Sequence, residues 1–392
     1  MTLIEAFNVS REQVIGTAVD DPGAERLEAE FALVGGHVDD ADARFTQARV
    51  RFRNLDLWAH MPGIEVEIGA DGRETVVRSK RPEPLSTSLT RPAGQLIVES
   101  NTPMPQLTVR GATLLRNTTL RFQSEADGLT IQELWAQLVN PISVLISLAV
   151  DADSPPVSLE VRTLSGDWLN VVHPLIAAAD TEHPRHLLLW REQLDLSMIG
   201  NWLSKADDLS PVPQLVAGVA LSHSDRTLEN QLLELATAAE GLHRRLYREQ
   251  RSMDRAKAKT IQRDASDAVP EEVRQLVKER LGHLEEPTYR DRLYTLIERA
   301  GDLTSMLGDA NAWVAKITPA RNGFAHRLIS GREASALDGH FVLLRSLRWF
   351  LTSLLLLEAG VEPAVLRGRL DDHQPYLHFL RQARRWLPDV YG

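Results

Sequence analysis

Cysteine is absent from the 392 residues, which rules out disulfides, thiolate nucleophiles and cysteine-bound zinc and fits a reducing compartment. Long apolar runs are also missing: the most apolar stretch, Trp349 to Val361, is too short for a membrane span and follows Arg345 and Arg348. The opening residues lack a basic segment followed by a long apolar one, so no signal peptide is expected. No internal repeat or low-complexity segment interrupts the chain. These absences point to a cytoplasmic protein with no membrane partner.

What is present is ordinary globular material, 43% hydrophobic and 25% charged, in a chain long enough for two cores. The net charge of −10 hides a division. Residues 1–225 carry 18 Lys and Arg against 31 Asp and Glu, whereas residues 226–392 carry 26 against 23. The basic excess concentrates at Arg244, Arg245, Arg248, Arg251, Arg255, Lys257, Lys259 and Arg263, a run able to neutralise phosphates and equally able to be a solvated helix face.

The first half alternates with a period near two. The stretch "ARVRFRNLDLWAHM" reads as extended, "GIEVEIGADGRETVVRS" as a hairpin turning at Asp71-Gly72, and "GQLIVES", "QLTVRGATLLRN", "TTLRFQSE", "VSLEVRTL" and "RHLLLW" as further strands. Ile131, Leu134, Leu138, Ile142 and Leu145 mark one helix. Beyond Asp225, a candidate N-cap, Leu228, Leu232, Leu235, Ala239, Leu242 and Leu246 recur at helical spacing. More helices are expected over 270–284, 289–307, 310–317, 332–358 and 374–387. The fold class is therefore α+β multidomain: a β-rich domain at 1–195, a connector at 196–225 and a helical bundle at 226–392. The helix over 341–357 is apolar nearly all round and must be covered on several sides, by its own bundle or by a second copy.

Chemistry concentrates in "PARNGFAHRL", residues 319–328, where Arg321, Asn322 and His326 combine a fixed cation, a mixed donor and acceptor, and a group that titrates near neutrality. An Arg followed by His after four to six residues occurs three times, roughly what chance gives, so context must separate the cases. Arg53 and His60 lie roughly 20 Å apart if the chain is extended there. Arg367 and His373 fall in a turn-like segment beside Asp371 and Asp372, carboxylates that repel a polyanion. Arg321 and His326 sit between apolar helices with no nearby carboxylate in sequence. Thr318-Pro319 reads as an N-cap and first residue of a new helical turn carrying Arg321 and Asn322. In an uninterrupted helix positions 321 and 326 stand about 140° apart, while 322 and 326 share a face.

A bundle with this motif, and with Asn directly after the Arg, resembles the HEPN superfamily. The stretch "LENQLLELATAAEGLHRRLY" at 228–247 is similar to the first HEPN helix of ApeA-type anti-phage proteins. The front half, with "RFRNLDLW" and "LTIQELWAQLVNPISVLISLAV", looks like the N-terminal domain of that family. The resemblance implies a homodimeric endoribonuclease acting by abortive infection, a toxin dormant until a phage-derived trigger or a nucleotide ligand reaches a sensor domain. Arg321 and His326, with Asn322, would be catalytic and would need no metal or other cofactor, because RNA supplies the 2′-OH nucleophile. Arg244, Arg248 and Arg327 would bind RNA, with Glu240 and His243 in support. The alternative is a HEPN bundle that binds nucleotide or an effector without cutting.

Overall fold

The computed structural model describes residues 1–12, 24–38, 42–68, 75–101, 106–108, 111–113, 116–163, 165–178, 184, 186–221, 226–326 and 334–392. Two compact units emerge, Met1–Asp207 with Glu358–Val361, and Asp208–Leu357 with Glu362–Gly392.

The first unit is built on strands β1 (Thr2–Glu12), β2 (Ala24–Val34), β3 (Gln47–Phe52), β4 (Ile64–Ile68), β5 (Thr75–Ser79), β6 (Leu85–Thr90), β7 (Ala93–Asn101), β8 (Gln106–Thr108), β9 (Gly111–Thr113), β10 (Asn117–Ser124), β11 (Pro156–Arg162) and β12 (Trp168–Val172). Eight of them form one antiparallel sheet in the order β1-β2-β12-β11-β3-β10-β7-β6. Alternation explains its sidedness: Ala48, Val50 and Phe52 on β3 and Leu120 and Phe122 on β10 are buried, while their neighbours are not. The hairpin β4–β5 and the pair β8–β9 are separate two-stranded sheets. Val66 and Ile68 of the first hairpin are largely exposed.

Helix α1 (Leu55–Ala59) follows β3 at once. The stretch read as extended therefore turns, because Asn54 adopts a left-handed backbone (φ 65) and its side-chain amide donates to the Asp153 carbonyl and the Ser154 hydroxyl. A covering helix runs through α2 (Ile131–Leu134), a π turn at Trp135–Val139 and α3 (Asn140–Val150). Thr130 and Glu133 cap its start reciprocally. Leu134, Leu138 and Ile142 face Val50, Leu96, Leu120 and Phe122 of the sheet across a small apolar cavity. "RHLLLW" is not a strand: Leu187, Leu188 and Leu189 are buried in irregular backbone, with the Leu189 amide donating to the Ala149 carbonyl.

The stretch 196–225, expected as a connector, holds α4 (Leu196–Leu209) and α5 (Val212–Leu221). The second unit continues with α6 (Leu228–Leu246), α7 (Arg255–Asp267), α8 (Glu271–Arg280) and α9 (Tyr289–Ala300), which passes into a 3-10 turn at Gly301–Leu307. Then come α10 (Ala310–His326), α11 (Ala334–Ala359), α12 (Pro363–Asp372), α13 (Gln374–Trp386) and α14 (Pro388–Tyr391). Arg367 and His373 thus belong to a helix and its C-cap rather than to a turn.

Among the described residues two helices, Ile131–Val150 and Leu337–Ala359, are long and apolar enough to cross a membrane, and two thirds or more of each apolar window is buried inside the fold. The second extends the run judged too short from sequence. Its buried residues, including Val342, Leu347, Trp349, Phe350 and Leu354, cover more than one face, as its all-round apolarity requires.

Candidate functional site

Helices α6, α9 and α10 pack against one another and bring the motif arginine into contact with the first helix of the bundle. Helix α6 starts at Thr227, whose hydroxyl accepts from the Asn230 amide. Asp225, expected to cap it, lies outside the described residues. Leu232, Leu235, Ala236, Ala239 and Leu242 bury one stripe of α6, which leaves Glu240 and Arg244 on its open side.

Helix α10 does not restart at Thr318-Pro319. It runs on from Ala310 to His326 with Pro319 inside, and the Thr318 hydroxyl turns back to the Val314 carbonyl at 2.8 Å instead of capping a new turn. Burial of Trp313, Val314, Ile317 and Ala320 holds the helix together across the proline, whose ring removes one backbone bond. The continuous backbone sets positions 321 and 326 about 140° apart. The side chain of His326, and Arg327 altogether, lie outside the described residues.

Arg321 is 31% exposed, open enough to meet a ligand. Its guanidinium donates to the Asn322 side-chain oxygen at 3.1 Å, pairs with Glu240 at 3.4 Å and sits 5.3 Å from the centre of the Tyr289 ring. The Tyr289 hydroxyl is fully buried and finds no hydrogen-bond partner among the described residues; burial pushes its pKa up, and the Glu240 charge adds to the effect against the opposing pull of Arg321.

From Glu240 a chain of charged contacts leads away along α6. Arg244 donates to Glu240 and to Glu286, each at 3.1 Å. Glu286 also meets Arg292 at 3.3 Å and His283 at 2.9 Å. The His283 hydrogen bond, assisted by the charges of Arg244, His283 and Arg292, holds the Glu286 carboxyl below its usual range despite partial burial. Arg248 pairs with Asp208 at 2.9 Å.

Glu240 and His243, three positions apart, have different partners. His243 is buried, with Nε2 2.7 Å from the Gln250 side-chain oxygen and Nδ1 3.2 Å from Arg292. Arginine can only donate, so Nδ1 accepts, Nε2 carries the proton, and the ring is neutral. Burial, reinforced by Arg292 and Arg244, pulls its pKa below the ordinary 6.5 against the opposing effects of Gln250 and Glu240. The unfolded chain therefore takes up this proton first as pH falls. Stability from the neutral ring is complete above about pH 6.5 and declines below it. The urea midpoint of the wild type is expected to drop more between pH 7 and 5.5 than that of His243→Gln; equal drops would remove His243 from the acid response.

The other two Arg and His pairs have separate partners. Arg53 lies 4.0 Å from Asp153, and His60 sets its ring edge-on to Trp190. Arg367 pairs with Asp371 at 3.0 Å, while His373 is buried against Trp349. Among the described residues no three His, Asp or Glu gather at metal-binding distance. Sequence reading passed over Tyr289, Glu286, Arg292 and Gln250, all drawn in by contacts between helices.

Residues 233–364 match the model of the Apea-like HEPN domain, and residues 1–197 match the ApeA N-terminal domain 1. Comparison with curated proteins and with solved structures gave no match. With the β-rich front accounted for by one model and the core of the helical bundle by the other, the chain belongs to the ApeA-type HEPN family of anti-phage defence proteins.

Proposed function

We propose that the chain is an endoribonuclease that acts inside the cell as a toxin, limiting phage by abortive infection. The observation that carries this reading is the partly exposed Arg321 guanidinium, oriented by Asn322 and Tyr289 at the junction of three helices and linked through Glu240 to Arg244 on α6. RNA brings its own nucleophile. Neutral His326 takes the 2′-OH proton, the imidazolium returns a proton to the leaving 5′-oxygen, and Arg321 offsets charge building on the phosphate oxygens. Asn322 orients the guanidinium, Arg244, Arg248 and Arg327 hold flanking phosphates, and Glu240 and His243 support the arrangement. Because positions 321 and 326 stand about 140° apart on one helix, the reading includes a homodimer in which one copy's arginine meets the partner's histidine.

The purified chain incubated with RNA in excess EDTA is expected to release fragments ending in 2′,3′-cyclic phosphate and 5′-hydroxyl, and to spare a strand 2′-O-methylated throughout. Cleavage of the methylated strand, or 5′-phosphate products, would refute 2′-OH attack.

A second reading, a HEPN bundle that binds nucleotide or an effector without cutting, draws support from the Glu240 carboxylate, which already partly neutralises Arg321. Under it RNA binds and stays intact.

A further inference from the structure

Between the end of α6 and the start of α9, linked to the motif arginine through Glu240 and Arg244, lies a groove of about 350 Å³ whose walls include Arg244, Tyr247, Arg248, Arg251 and Arg292. Ligand pockets begin at roughly this size, about 300 Å³. Four guanidiniums against the two carboxylates of Glu285 and Glu286 leave the lining positive, and the excess is larger than the roughly half unit of negative charge at the C-terminal end of α6.

The arginines differ in availability. Arg292 is buried and engaged with the Pro287 carbonyl, His243 and Glu286, so it forms a fixed wall. Arg251 donates to the backbone carbonyls of Arg248 and Gln250 and meets no carboxylate among the described residues. Among the described residues Arg248 pairs with Asp208 alone, with both side chains exposed, a pair easily exchanged for a better anion. Tyr247 supplies an aromatic ring, steadied 5.2 Å from the buried His243 ring at a 31° tilt.

We propose that this groove is a nucleotide subsite, with a phosphate held by Arg244, Arg248 and Arg251 and a base lying on Tyr247. For a nucleotide within an RNA strand the assignment rests on the ribonuclease reading above; a free nucleotide offers the same chemistry. The groove is coupled to the motif. Arg244 divides its guanidinium between Glu286 and the Glu240 that holds Arg321, so a phosphate arriving at Arg244 competes with Glu240 and alters its hold on Arg321.

The test is equilibrium binding to the full chain of two fluorescent probes, a 2′-O-methyl RNA decamer that cannot be cleaved and the mononucleotide AMP. The double variant Arg248→Ala/Arg251→Ala, altered only at exposed positions, is expected to bind the decamer at least about tenfold more weakly, with a salt slope shallower by up to about 0.7, the loss of one phosphate contact. Tyr247→Ala is expected to lose about 5- to 160-fold, which Tyr247→Phe restores, while Arg263→Ala on α7 changes binding less than about twofold. Losses confined to the decamer identify a subsite for a strand. Losses for AMP as well identify a site for a free nucleotide. If neither probe binds, or if Tyr247→Ala and the double variant both bind as the wild type does, the subsite is refuted. Failure of the ribonuclease reading is separate: an unmodified decamer then stays intact while the groove variants still weaken binding.

Discussion

His326→Ala is expected to slow RNA cleavage by about 10²–10⁴-fold, the usual loss on removing a general acid or base. Arg321→Ala should cost about 10²–10³-fold, because on the proposed reading the guanidinium acts on charge that grows in the transition state. Arg321→Lys keeps the charge but loses the two-pronged geometry, and should recover only part of the rate. Single-turnover rates on a labelled oligonucleotide measure all three. Rates within threefold of wild type for both alanine variants would end the catalytic assignment. A mixing experiment then decides how the site is assembled. If the arginine of one copy works with the histidine of another, combining Arg321→Ala with His326→Ala chains forms heterodimers in which one of two sites is whole, restoring about a quarter of wild-type activity by random pairing. A site completed within one chain gives no recovery.

Trp313→Ala carries the largest expected effect on stability. The indole is fully buried, its N–H donates to the Ser346 hydroxyl at 2.8 Å, and its ring meets Phe350 edge-on. Truncation leaves a cavity costing about 3–5 kcal/mol, and a hydroxyl without its donor adds to the loss. That is a large share of the roughly 5–15 kcal/mol typical of a domain. Trp313→Phe keeps most of the volume and should cost about 1–2 kcal/mol through the hydrogen bond. Urea unfolding followed by circular dichroism distinguishes the two. A loss under 1 kcal/mol for Trp313→Ala would show that the packing of α10 on α11 contributes little. Because α10 also carries Arg321, rates for this variant must be read only where it is folded.

The class of fold was legible because both periodicities are strong: alternating Val50, Phe52, Leu120 and Phe122 on one side of the chain's midpoint, and the stripe from Leu232 to Leu242 on the other. Individual elements failed where local propensity and long-range contact disagree. Strand β2 is rich in Ala, Glu and Leu, good helix formers, yet Phe31 and Leu33 alternate into the core. Helix α1 depends on Asn54, whose anchors at Asp153 and Ser154 are about a hundred residues away and invisible to any local window. "RHLLLW" has the composition of a strand but satisfies its backbone through isolated bonds. Helix α7, with only Ala258 and Ser266 buried, has no apolar stripe to read.

At the candidate site, the spacing of Arg and His recurs three times along the chain, and only its context between apolar helices singled out Arg321, Asn322 and His326 as candidates. Their electrostatic setting was not legible. The sequence shows no carboxylate near Arg321, because Glu240 arrives from 81 positions earlier. Likewise Glu240 and His243 looked like one unit at helical spacing, whereas the fold sends one to Arg321 and the other to Arg292.

The strand order has a consequence for synthesis. β12 joins β2 to β11, so the large sheet can close only after residue 172 has left the ribosome. Position 321 follows after a delay on the order of ten seconds at ordinary rates of translation. The arginine that would make the chain harmful to its host is thus born onto a polypeptide whose front sheet has already had time to assemble.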